Sequence, residues 1–368
     1  MTQSSRALRW PATFVLLLFF LGGCQIAAPP IQDHLRSDCE IEKKAESLQA
    51  TVGELANGGG NIGRLAALKE RIVAKGLSQY LTKQHIDWYS LQQNLIIEIP
   101  GQSEQIVYLV AHYDKTDATP LSFTSLMLNG VLDTLISPIY FSDGALDNAT
   151  GVAVILELAT KLSQQDNYYT YRFLFAGSEE TGLRGSRVHV ARLPAEDRAA
   201  IAFAINVDTV GVRDKNNCIT NGVSDPQLSY QAAAAAQRLR IELNHDRYPI
   251  SSTSDYLPFQ QMSTASDFSY GLQLNFVGGL LPQRSWLPGT LSIPTVNFSS
   301  CGIVESSSDF ITNFLLPFGN LHGFRDSTTL VDIESLYELY LVIGNMLRTI
   351  EKESTLNAPE DLTTGLRN

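Results

Sequence analysis

Short apolar runs that end in one polar residue recur along this chain. Ile106–Ala111 runs into His112, and Ala202–Val207 runs into Asp208. Tyr171–Ala176 stops at Gly177 and is followed by the adjacent pair Glu179 and Glu180. Runs of this length and composition predict strands buried on both faces, and Asn94–Ile99, ahead of Pro100-Gly101, predicts another. A second periodicity lies between them. Leu65, Leu68, Ile72 and Val73 recur at helical spacing and predict a helix over Asn61–Lys75 that ends at Gly76. Helices are also predicted over Cys39–Leu55, over Gly151–Leu162 and from near Ile333. Strands alternating with helices predict an α/β fold: one domain, with a mixed, largely parallel β-sheet and helices on both faces.

The chain opens differently. Arg6 and Arg9 precede a wholly apolar run, Phe14–Leu21, closed by Leu21-Gly22-Gly23-Cys24. Eight apolar residues are too few to span a bilayer, which takes about 20. Residues 1–23 are therefore expected to be an export signal. Small residues directly before a cysteine resemble the bacterial lipobox, which implies lipidation of Cys24 as the mature N-terminus. Gln25 after it, rather than an aspartate, implies an anchor in the outer membrane facing the periplasm of a bacterial cell envelope. Residues 24–60 are expected to be a tether and N-terminal segment, with Ala27-Ala28-Pro29-Pro30 and Gly58-Gly59-Gly60 as its loose points. A domain over 61–350 and a polar tail over 351–368 complete the division.

Composition narrows the partners. Loss of the signal removes two arginines and no acid, which takes the formal charge from -11 to -13. So acidic a body argues against nucleic acid and against an electrostatic hold on anionic lipid. No feature of the sequence calls for a partner chain, and a monomer is expected. With Cys24 lipidated, Cys39, Cys218 and Cys301 remain, which allows at most one disulfide; Cys218–Cys301 is one possible pair.

The polar residues that end the strands carry the candidate chemistry. They are His112 and Asp114 in HYD, Asp147 in GALDNATG, Glu179 and Glu180 in GSEETGLRGS, Asp208 in NVDTVG and His322 in LHGFRDS. The carboxyl ends of parallel strands converge on one crevice, so these groups are expected to meet. Imidazole and carboxylate together suit zinc, and a carboxylate can bridge two ions. Two adjacent glutamates point different ways, so one can ligate while the other handles a proton. Asp114 is placed to accept the second ring N–H of His112.

Together these motifs resemble the secreted di-zinc aminopeptidases of peptidase clan MH, a bacterial leucyl aminopeptidase-like group related to the glutaminyl cyclases. The resemblance runs from about His85 to Met346. It implies the zinc-exopeptidase (phosphorylase/hydrolase-like) fold and two Zn2+ ions. It further implies His112 and Asp208 on one zinc, Glu180 and His322 on the other, and Asp147 bridging them. Glu179 would be the general base and Asp114 the carboxylate that orients His112. The implied reaction is hydrolysis of the N-terminal peptide bond of short peptides with a free N-terminus. Related alternatives are a glutaminyl cyclase, a zinc carboxypeptidase or deacylase, and a non-catalytic binding lipoprotein.

Two stretches depart from the family pattern. Residues 115–142 are long and apolar, and 260–291 intervene between Ser254-Asp255-Tyr256-Leu257-Pro258-Phe259 and Ile293-Pro294-Thr295. The second carries Phe268, Tyr270, Phe276 and Trp286, a composition that suits an ordered flap as well as a surface excursion. Tyr256, or else Tyr248, is the candidate for holding the oxyanion. His34, His85, His189 and His245 are expected to be structural or solvated.

Overall fold

The computed structural model describes residues 38–87, 91–128, 130, 132–247, 254–263, 290–303 and 321–356. The signal, Cys24 and the tether up to residue 37 lie outside them, as do Tyr248 and residues 264–289 of the second departure. Of a first unit, 1–43, only 38–43 are described, and they begin helix α1 (Asp38–Ala56). The second unit spans 44–368.

Its eight-stranded sheet is built from β1 (Leu81–His85), β2 (Gln93–Ile99), β3 (Ile106–His112), β4 (Thr170–Ala176), β5 (Ile201–Val207), β6 (Asn217–Asn221), β7 (Leu243–Arg247) and β8 (Thr295–Ser300). The spatial order is β1-β2-β4-β3-β5-β8-β6-β7. The central strands β4, β3, β5 and β8 run parallel, while β1, β2 and β6 pair antiparallel at the flanks. Every residue of β3 is buried, which is why the run IVYLVAH shows no polar alternation.

Side chains alternate between the two faces and feed two cores. Val107, Leu109, Phe173 and Phe175 join the larger one, Tyr108, Val110 and Leu174 the smaller. The larger core takes helices α2 (Asn61–Ala74), α3 (Thr150–Leu162), α5 (Pro226–Leu239) and α6 (Ile333–Leu356), and Leu48, Val52 and Leu55 of α1. On the other face lie Val190 of α4 (Arg184–Arg192), Leu193 just after it, and Phe259. Helices cover both faces, as expected, but unequally.

Helix α2 follows the predicted stripe through Leu65, Leu68 and Ile72, whereas Val73 is 61% exposed. Leu65, Leu68 and Ile72 keep to one face by steps of three and four, and Val73, the next position along, falls past the edge of that face. The helix docks closely because a Cβ on Gly63 would lie 1.8 Å from the Gly58 carbonyl oxygen.

Cys218 of β6 and Cys301 just beyond β8 form a disulfide with Cα atoms 5.1 Å apart, which resolves the open pairing. A two-residue ladder, Met262–Ser263 with Thr290–Leu291, closes the base of the 260–291 excursion. Among the described residues, no helix is long and apolar enough to cross a membrane.

Candidate metal centre

Three parallel strands end on one crevice. β3 delivers His112, β4 leads through Gly177 and Ser178 to Glu179 and Glu180, and β5 leads directly to Asp208. Asp147 arrives on the irregular turn Ala145–Ala149 that opens α3, and His322 arrives on the loop before α6.

Asp147 lies between the two imidazoles. Its Oδ1 is 3.0 Å from His112 Nε2, and its Oδ2 is 3.3 Å from His322 Nε2. Each imidazole has a second carboxylate of its own. Asp208 Oδ1 is 3.5 Å from His112 Nε2, and Glu180 Oε2 is 3.2 Å from His322 Nε2. Ligand atoms of His112, Asp147 and Glu180 all lie within 4.8 Å of one another, a group that can hold a metal ion. Among the described residues, Asp147 Oδ1 and Glu180 Oε1 are buried without a hydrogen bond, a costly state that a bound cation would relieve.

Each of these groups is held by neighbours. Asp326 Oδ1 accepts the backbone N–H of Leu146 at 2.6 Å and of Asp147 at 3.3 Å, and Ser142 Oγ donates to Asp326 Oδ2 at 2.7 Å. The Asn148 amide ties the Asp147 turn to the end of β5. Its Nδ2 donates to Val207 O at 2.9 Å, and its Oδ1 accepts from Gly151 N at 3.0 Å and Thr209 N at 3.2 Å. Ser254 Oγ donates to Asp208 Oδ2 at 2.5 Å and Thr209 Oγ1 to Asp208 Oδ1 at 3.1 Å. His322 adopts φ 55°, and its carbonyl accepts from Ala118 N at 2.7 Å, so residues from the 115–142 departure touch the site.

Asp114 divides the orienting task expected of it. Its backbone carbonyl lies 3.2 Å from His112 Nδ1, while its carboxylate stands 3.7 Å away from that nitrogen. The carboxylate instead accepts the backbone N–H of Glu179 at 3.0 Å and of Glu180 at 3.2 Å. One aspartate thus sets the glutamate turn against the strand that carries His112.

Burial and crowding govern the charge. Burial raises the carboxyls of Glu180 and Asp255 to about 7 and that of Asp326 to about 6. It also pushes Glu179 well above the usual carboxylate range, with Glu180, Asp255 and Asp208 adding to the effect. Burial opposes ionised Asp147 too, but His112 and His322 together hold it below its ordinary value. So many acids around two imidazoles make a pocket suited to cations, and the donor set of two histidines with three carboxylates suits zinc.

Sequence reasoning missed four contributors. Asp326 and Asp255 sit inside motifs already singled out, Asp326 four residues beyond His322 and Asp255 next to Ser254. Asn148 directly follows Asp147, and Arg64 is fully buried on α2 with no local sign of it. The histidines set aside stay aside among the described residues: His85 and His245 are exposed, and His189 is buried against Tyr108. Burial pushes His189 down to about 3. Tyr256 is buried, 3% exposed, two residues past Ser254.

Known proteins resemble this chain in part of its sequence and in its fold. Residues 94–269 match Peptidase family M28. The aminopeptidase YwaD of Bacillus subtilis (strain 168) is 28% identical over 171 residues, 45% of this chain and 32% of that protein. The chain thus spans about a third of the length of that relative. Among solved structures, the glutaminyl cyclase of an Acidobacteriales bacterium shares the fold at TM-score 0.59 and 15% identity, covering 89% of this chain and 99% of that one. A leucine aminopeptidase precursor from Bacteroides thetaiotaomicron VPI-5482 does so at TM-score 0.55 and 17% identity, covering 82% and 96%. The motifs agree with the match of residues 94–269 to Peptidase family M28, and the fold is the one these solved structures share.

Proposed function

We propose that this protein is a zinc-dependent aminopeptidase that holds two Zn2+ ions and releases the N-terminal residue of short peptides. One observation carries the reading: Asp147 turns one oxygen to His112 and the other to His322, and each imidazole has a further carboxylate beside it. Ligand atoms about 2.0–2.2 Å from a tetrahedral zinc stand about 3.3 Å from each other. The four pairs measured here span 3.0–3.5 Å, which supports two adjoining sites that share Asp147.

His112, Asp208 and Asp147 would hold one ion, and Glu180, His322 and Asp147 the other. Zinc there would supply Lewis acidity toward the scissile carbonyl and the attacking water. Glu179 would take the proton from that water and pass it to the leaving amine. Burial raises its proton affinity above that of an ordinary carboxylate, which strengthens it as a base. Asp114, by gripping the Glu179 and Glu180 backbone, would keep base and ligand in register. Tyr256, on the segment that orients Asp208, is proposed to face the oxyanion. The acidic surroundings would receive the substrate's free α-amine. Upstream, Cys24 is proposed to carry the lipid anchor, with unchanged membrane association of Cys24→Ala on fractionation as the outcome against it.

The test is a peptide mixture followed by mass spectrometry. The protein should remove a leucyl or similar apolar N-terminal residue, ignore the N-acetylated peptide, lose activity on chelation and regain it with zinc. Conversion of N-terminal glutamine to pyroglutamate without amino-acid release would identify a cyclase instead. Cleavage that tolerates the acetyl group would overturn the aminopeptidase reading.

A further inference from the structure

Arg64 is the largest fully buried side chain of the described residues, and it lies on α2, ahead of the segment that matches the family. Among the described residues its guanidinium has no carboxylate in hydrogen-bonding contact. It donates instead to backbone carbonyls on three separate segments. Nε reaches Tyr113 O, Nη1 reaches Asp143 O at 2.7 Å and Leu55 O at 3.3 Å, and Nη2 reaches Gly144 O at 2.9 Å.

Those acceptors are not scattered. Tyr113 stands between His112 and Asp114, and Asp143 and Gly144 lead into the turn that carries Asp147. Leu55 closes α1. One planar group therefore spans the two loops whose side chains meet as the His112–Asp147 pair. Only arginine offers five N–H donors in a fixed fork; a lysine ammonium reaches fewer acceptors, without a plane to align them. The fit is tight. A Cβ on Gly144, which has φ 64°, would stand 2.7 Å from Arg64 Nη1.

We infer that Arg64 is a positioning residue of the metal centre: by bracing the Tyr113 and Asp143–Gly144 backbones together, it sets the separation of His112 and Asp147 and so the affinity for zinc. The inference rests on the zinc reading above. Desolvating a guanidinium is costly, and its offset here comes from backbone carbonyls and from the field of the site's acids, Asp326, Asp114, Asp147 and Glu180.

The experiment compares zinc affinity, by chelator competition on the metal-stripped full chain, with folded stability by thermal melting. Arg64→Lys keeps the charge and loses the fork. It should bind zinc about 10- to 100-fold more weakly, the range for groups that orient metal ligands. Its kcat should fall while the KM for a leucyl substrate changes little. Gly144→Ala should reproduce the loss by displacing the guanidinium, and it carries the test alone if Arg64→Lys does not fold. Glu157→Gln is the control. It cuts the ties of Lys44 and Lys75 to α3, so it should lower the melting temperature and leave zinc affinity unchanged. Wild-type zinc affinity in a folded Arg64→Lys or Gly144→Ala protein would overturn the inference. So would an equal loss of zinc affinity in Glu157→Gln. Wild-type protein that takes up no zinc would overturn the zinc reading itself.

Discussion

At the scale of single residues, the adjacent glutamates have different surroundings although one aspartate holds both of their N–H groups. Glu180 Oε2 faces His322 at 3.2 Å, whereas the field around Glu179 comes from His112, Glu180, Asp255 and Asp208. A base and a ligand should therefore fail differently. Glu179→Gln is expected to keep its zinc and to lose about 10²- to 10⁴-fold in kcat, the usual worth of a general base. Glu180→Ala is expected to lose zinc as well as turnover. Zinc content measured beside kcat distinguishes the two, and a fully active Glu179→Gln enzyme would refute the assignment of the base. Asp326 offers a third case. Asp326→Asn replaces one acceptor oxygen with a donor, so it should loosen the Leu146–Asp147 turn and weaken zinc binding, about tenfold or more, without direct contact with the metal.

At the scale of elements, close approach of backbones decides where Asp147 sits. A Cβ on Gly151 would lie 2.3 Å from Val207 O and 2.4 Å from Asn148 Oδ1, so α3 can start against the end of β5 only with glycine there. Gly151→Ala should push the Asp147 turn from Asp208 and lower both stability and zinc affinity, read by melting and by zinc titration. Farther along α3, Glu157 is buried, 1% exposed, and receives Lys44, Lys75 and Ser47 from the N-terminal helices. Burial opposes its charge, but these three partners outweigh that and hold it below its ordinary 4.5. A carboxyl depressed in the folded state contributes stability above its unfolded pKa, and that contribution is lost as pH falls through the folded value. Acid below about pH 4.5 should therefore release this tie. Glu157→Gln is expected to cost about 3 kcal/mol at neutral pH and to flatten that part of the acid-unfolding curve. Urea unfolding between about pH 6 and pH 3 measures both, and an unchanged pH dependence would count against the tie.

Across the whole molecule, the Cys218–Cys301 disulfide closes a loop with a sequence separation of 83 and pins β6 to the end of β8 beside the parallel core. Reduction should destabilise the fold by about 4.5 kcal/mol on loop-entropy grounds, measured by urea unfolding with and without reductant. The amino-acid sequence by itself determined the α/β class, the strands that end at His112 and Asp208, and the convergence of both with Asp147, Glu179, Glu180 and His322. Those features are local, because an apolar run cut off by one polar residue keeps that pattern wherever the strand packs. Tertiary structure decided the rest. Asp114 grips the glutamate turn rather than His112 Nδ1 because the two loops meet in space, not in sequence. Val73 faces water because one step past Ile72 turns it off the buried face of the helix. Arg64 shows the limit most plainly: an arginine on an amphipathic helix looks the same in sequence whether water or four carbonyls surround it, and only packing against Tyr113, Asp143, Gly144 and Leu55 chooses between them.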